Sequence, residues 1–111
     1  MLTITFMAPL RSNHEHSLKH LIQTAMPEIS RFFGIVIAIY YKEHGWPHFH
    51  AKYAGQTGVF SIVDLELIEG VLPKRVVALV LEWAFEHRSE LLENWQRAVA
   101  QEPLQPIAPL E

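Results

Sequence analysis

The sequence predicts a small α+β domain: an antiparallel sheet of three or four strands, covered on one face by a long C-terminal helix. Three observations carry this. The run FFGIVIAIYYKE, residues 32–43, is dominated by β-branched and aromatic residues, which suit a pleated, half-buried surface. Residues 48–54 alternate, with Phe49, Ala51 and Tyr53 on one side and His48, His50 and Lys52 on the other, the period of a strand with one wet face. From Pro73 to about residue 100 the apolar residues return at helical spacing instead.

Ahead of these elements, residues 1–10 are apolar but lack the basic start of a secretory signal, and Arg11 follows at once. Ser12-Asn13-His14-Glu15 has the spacing of a capping box, in which side chains satisfy the free N–H groups that open a helix. Leu18, Leu21, Ile22 and Ala25 continue at helical spacing, so a short amphipathic helix is expected over 13–25, ended by Pro27. The first strand occupies 32–43 and is broken by Gly45, Trp46 and Pro47; the second is 48–54. Gly55 to Gly58 supplies a turn and 58–63 a third strand, while 64–70 fit either an edge strand or a helical turn.

Pro73 stands at the first helical position, where its missing N–H costs nothing. On one continuous helix over 73–100, Val77, Val80, Leu81, Ala84, Leu91, Leu92 and Trp95 share a face, and Glu82, Glu86, Glu90 and Glu93 lie opposite. The order is α-β-β-β-α, or β-β-β-α without the first helix. Loops this short allow no crossover, so the strands are antiparallel. Three regions result: an N-terminal extension over 1–25, a single α+β domain over 26–101, and a proline-rich tail over 102–111, read as an extended arm with no packed structure of its own.

Composition narrows the function. The 111 residues suffice for one domain. Half are apolar and 19% are charged, the balance of a packed chain. There is no cysteine, which removes disulfides, thiol catalysis and thiolate-bound zinc and fits a cytoplasmic protein. A net charge of −3 argues against a binder that coats itself with nucleic acid. No apolar run approaches the ~20 residues of a membrane span. Residues 1–25 and 26–63 each carry +1 and residues 64–111 carry −5, while six of the seven histidines precede residue 51.

If Gly45-Trp46-Pro47 is the whole loop between the first two strands, His44 pairs with His48, Lys42 with His50 and Tyr40 with Lys52. Paired residues of antiparallel strands point to the same face. One face then carries Tyr40, Lys42, His44, His48, His50 and Lys52. The other carries Ile35, Ile37, Ile39, Tyr41, Phe49, Ala51 and Tyr53 and packs on the helix. A four-residue loop would instead set Ile37 and Ile39 beside the histidines. Val36 and Ala38 share the polar face, so some covering is expected, by a partner, a second copy or the N-terminal helix.

Three chemistries fit that face. A divalent transition metal would be held by His44, His48 and His50, since neutral imidazoles bind zinc, nickel or copper; no carboxylate at a fixed spacing completes the set. Metal-independent cleavage of RNA would use His48 and His50 as general base and acid, with Lys52 or Lys42 against the developing charge and Tyr40 or Trp46 stacking a base. Docking is the third, because histidine and tyrosine suit a half-wet interface; Tyr40, Lys42, Trp46 and Arg88 are its candidate contacts. Docking without a cofactor is the leading reading, and whether the chain is an enzyme stays open.

Arg88 falls in the middle of the helix's apolar face, between Ala84 and Leu91. Either its stem packs on the sheet while the head reaches water, or its guanidinium pairs with a carboxylate or a ligand anion, with Glu43, Asp64 and Glu66 as partners in range. His87 sits on the flank beside Trp83. Lys74 and Arg75 occupy a first helical turn, where cations are slightly unfavourable.

The segments MPEISRFFGIVI (26–37), YYKEHGWPHFHAKY (40–53), LPKR (72–75) and LEWAFEHRSELLENW (81–95) together resemble a bacterial family known as domain of unknown function 4160. The resemblance runs from Met26 to about residue 110. Its most recognisable positions here are Pro47, His48, Phe49, His50 and Ala51, then His87 and Arg88. It brings no catalytic residues. Members open with Met-Pro-Glu-Ile-Ser, so either Met26 is the start or the preceding 25 residues form a real helix. Family genes often stand beside a second small family, and some members carry a loose label of transcriptional regulator. The resemblance thus implies a two-protein toxin–antitoxin-like or regulatory module. The partner would be a small protein encoded nearby or a second copy, with RNA an alternative and no membrane. The layout is also similar to HicA-type mRNA interferases, whose histidine stands on the second strand; this is an analogy of layout alone.

Overall fold

The computed structural model describes residues 27–111, and the helix expected over 13–25 lies outside them. Five strands come first: β1 (Glu28–Phe32), β2 (Ile35–Ala38), β3 (His48–Tyr53), β4 (Gln56–Ser61) and β5 (Glu66–Gly70). Two helices follow, α1 (Lys74–Glu86) and α2 (Arg88–Val99). The strands form one sheet in the order β1-β2-β3-β4-β5, antiparallel at every neighbour. The α+β class stands, with five strands in place of three or four. Among the described residues no helix is long and apolar enough to cross a membrane.

The strand expected over 32–43 begins at the last residue of β1, turns, contains β2 and runs out into a loop, while the rest of β1 lies ahead of it over 28–31, where no strand is expected. Phe33 and Gly34 both have positive φ, 51° and 79°, the requirement of the two-residue hairpin turn whose twist matches its strands. That turn reverses the chain between β1 and β2, pairing Phe32 with Ile35. Ala54 and Gly55, at 48° and 80°, make the equivalent turn between β3 and β4. The segment 64–70 resolves as a turn and the edge strand β5, and the third strand runs over 56–61 instead of 58–63. Gly70 has φ 87°, and a Cβ there would come within 2.2 Å of the Thr57 carbonyl oxygen, so only glycine lets β5 end so close to β4.

The loop between β2 and β3 is residues 39–47, longer than the Gly45-Trp46-Pro47 turn expected. Val36, Ile37 and Ala38 pair with Lys52, Ala51 and His50. Lys52 therefore lies opposite Val36 instead of Tyr40, a slip of four residues. Tyr40, Lys42 and His44 leave the sheet. Four is even, so each strand keeps its faces: Ile35, Ile37, Phe49 and Ala51 are still buried together.

The core lies between this sheet face and the helices. Trp83 is fully buried, its ring 5.4 Å from Phe32 and 5.9 Å from Phe49. Phe49 stacks on Phe60 at 5.2 Å. The single helix expected over 73–100 is interrupted at His87 (φ −115°, ψ 23°), whose N–H is shared between the Trp83 and Ala84 carbonyls. Buried positions are Val76, Val80, Trp83 and Ala84 on α1 and Leu91, Asn94, Trp95 and Ala98 on α2. Val77, Leu81 and Leu92 are half-buried flanks of that stripe.

Residues 102–111 have no regular secondary structure and lie against the domain. Ile107 and Leu110 are buried in the core. The Ile107 N–H bonds the Ile29 carbonyl on β1 at 2.8 Å, and Trp83 Nε1 donates to the Ala108 carbonyl at 2.8 Å. Asn94, fully buried, donates through Nδ2 to the Gln105 carbonyl and accepts from the Gln105 N–H, at 2.8 and 2.9 Å. That pair satisfies a buried amide which would otherwise be costly.

Candidate functional site

His48 and His50 stand two apart on β3, so both rings leave the same side of the sheet. Their centroids are 5.4 Å apart. His48 opens the strand next to α2, where its ring lies 4.9 Å from that of Trp95. Its Nδ1 is 2.7 Å from the Trp46 carbonyl oxygen. A carbonyl can only accept, so Nδ1 is the donor here, and in the neutral ring Nε2 then keeps a lone pair. Tyr40 meets His50 edge to face at 4.7 Å, and the Lys52 ammonium stands 5.3 Å from the Tyr40 ring centre, a cation–π distance.

The loop 39–47 then brings in a carboxylate. Glu43 Oε1 is 2.9 Å from His50 Nε2 and 3.5 Å from His48 Nε2. Burial pushes the Glu43 carboxyl up, but the bonds from His50 and His48, with their charge, outweigh it and hold it below the usual carboxylate range. One oxygen or nitrogen from each of Glu43, His48 and His50 falls within 4.8 Å of the others, and among the described residues this is the one group so arranged. Ligands about 2.1 Å from a tetrahedral zinc lie roughly 3.4 Å from one another, and the two distances from Glu43, 2.9 and 3.5 Å, are near that spacing. The side chains are 32%, 13% and 17% exposed respectively, shielded but open on one side.

The predicted residues are thus partly gathered. His48, His50, Tyr40 and Lys52 share the site. His44, expected as the third ligand, is exposed and stands outside the group, which Glu43 joins instead. The nine-residue loop explains this: a strand would turn residues 43 and 44 to opposite faces, whereas an irregular segment can turn Glu43 inward. Lys42 is exposed at φ 68°. Trp46 shows its indole to solvent, 71% exposed, while its carbonyl holds His48. Arg88 takes none of the carboxylates in range: its guanidinium donates to the Ile62 carbonyl at 3.1 Å and to that of Val63, tying α2 to the β4–β5 turn. From the sequence Glu43 is a candidate only as a partner of Arg88; the pattern E-x4-H-x-H is its one signal for this site.

Residues 34–96 match the family described as Domain of unknown function (DUF4160). No curated protein matches the chain, and no solved structure does.

Proposed function

The chain belongs to the DUF4160 family, and from that premise we propose that it is a metal-binding protein whose Glu43, His48 and His50 hold one divalent transition ion. The observation that carries this is the convergence of three ligand atoms within 4.8 Å, with His48 already held by a carbonyl through its far nitrogen. That hydrogen bond is the support histidine ligands ordinarily have, since it sets the tautomer and the ring angle. Two imidazoles and one carboxylate suit zinc or iron(II) and leave coordination positions for water or a substrate.

Metal analysis of tag-free protein prepared without chelator, followed by zinc titration, tests this. One equivalent per chain is expected. Glu43→Gln and His48→Ala weaken binding about tenfold or more, since each loses a ligand, and His44→Ala leaves it unchanged. A wild-type protein that takes up no zinc, nickel, copper or iron overturns the reading. RNA cleavage by that metal-free protein, lost in His50→Ala, would point to acid–base chemistry by His48, His50 and Lys52 instead. Docking in a two-protein module is favoured by a different feature, the exposed Trp46 beside the site; a complex formed with a neighbouring gene product and lost in Trp46→Ala tests it.

A further inference from the structure

We propose that the C-terminal segment is part of the site's scaffold and that Tyr41 is the positioning residue through which it places Glu43. This rests on the metal-binding reading above. Loop 39–47 is anchored at its ends by backbone bonds: Ile39 N–H to the Pro27 carbonyl at 3.2 Å, and Ile62 N–H to the Pro47 carbonyl at 3.0 Å. Between these ends, the described bonds from the loop to distant chain are two. One is the Glu43 carboxylate itself. The other is Tyr41 Oη, which donates to the Glu102 carbonyl at 3.0 Å.

Glu102 is itself held. Its N–H bonds the Arg97 carbonyl at 2.8 Å, and three residues later the Asn94 amide grips Gln105 on both its N–H and its C=O. Tyr41 packs against the core, half-buried, two residues before Glu43. The carboxylate therefore inherits its position from a tail that enters the fold 61 residues later. Peeling the tail away would free the loop, withdraw Glu43 and leave the two histidines of β3 unaccompanied.

Tyr41→Phe tests this, because it removes one hydroxyl and keeps the packed ring. In the metal-free protein, the His50 Nε2 proton bonded to Glu43 gives a slowly exchanging imidazole resonance. The variant should lose that signal while the sheet amides keep their shifts. In zinc titrations Tyr41→Phe should weaken affinity about tenfold, the usual effect of losing a group that orients a ligand. Added to Glu43→Gln, it should cost nothing further, because the two act through the same carboxylate. An unchanged imidazole signal overturns the proposal. So does an equal loss of affinity in both backgrounds, which is general weakening of the fold. Loss of the signal in a protein that binds no zinc supports the scaffold and removes only the metal reading.

Discussion

The His48 imidazole lies against the Trp95 indole, with ring centroids 4.9 Å apart and planes inclined at 51°. Trp95 is buried, so its emission senses His48 before it senses solvent. Copper(II), a paramagnetic quencher, should lower the fluorescence of Trp46→Phe protein along a saturating curve that ends at one equivalent. Trp95→Phe should remove most of that response. Quenching that rises without saturation, or that survives in Trp95→Phe, would place the ion elsewhere.

Trp83 closes the core against Phe32, Phe49 and the tail carbonyl of Ala108. Truncating a fully buried tryptophan to alanine costs about 3–5 kcal/mol through lost transfer energy and the cavity left behind. A domain of this size has only ~5–15 kcal/mol to lose. Trp83→Ala should therefore shift the urea midpoint far to the left, and a shift worth less than about 1 kcal/mol would contradict the packing described.

Arg88 joins α2 to the β4–β5 turn through the carbonyls of Ile62 and Val63. The residue is exposed, so solvent competes, and Arg88→Ala should cost about 1 kcal/mol. Arg88→Lys should recover only part, because an ammonium lacks the planar fork that spans two carbonyls. Hydrogen exchange should quicken at residues 62–65 in both variants, with zinc affinity unaltered. Loss of zinc binding in Arg88→Ala would mean that this arginine serves the site after all.

Glu28 and Arg31 form a two-point ion pair at 2.8 and 2.9 Å on the outer strand β1. The hydrogen bond from Arg31 holds the Glu28 carboxyl below its ordinary 4.5, with burial opposing and charge attraction adding to it. A depressed folded-state pKa contributes stability above the unfolded value and loses it as pH falls through the folded one. The stability gap between wild type and Arg31→Ala should be small and constant at neutral pH, then close on acidification below 4.5. Because the arginine is exposed, added salt should narrow the gap too. A gap that widens in acid would reverse the sign of the interaction.

The legible part of this protein was its alternation. Period-2 patterning placed Ile35, Ile37, Phe49 and Ala51 together in the core, although Ala38 on the other face is buried too, and a slip of four residues could not disturb that division because four is even. The five-strand count was less legible. The turn at Phe33-Gly34 places a phenylalanine at positive φ, a conformation bulky side chains rarely accept, so the spacing gives no turn there and no strand over 28–31 before it. At the site, residue spacing points to His44, His48 and His50, and the structure groups the last two with Glu43. Spacing governs direction only within regular elements, and Glu43 sits in a loop.

By itself the sequence determined what local physics controls: the α+β class, the antiparallel strands, the apolar set that became the core, and the two histidines that share a face. Tertiary structure alone decided what depends on groups far apart in the chain. Arg88 found its carbonyls 25 and 26 residues away, and the tail found Tyr41 across 61. Glu43 was placed by a loop whose length nothing nearby dictates. Such contacts join groups that only the folded chain brings within reach of one another, so nothing local in the sequence points to them.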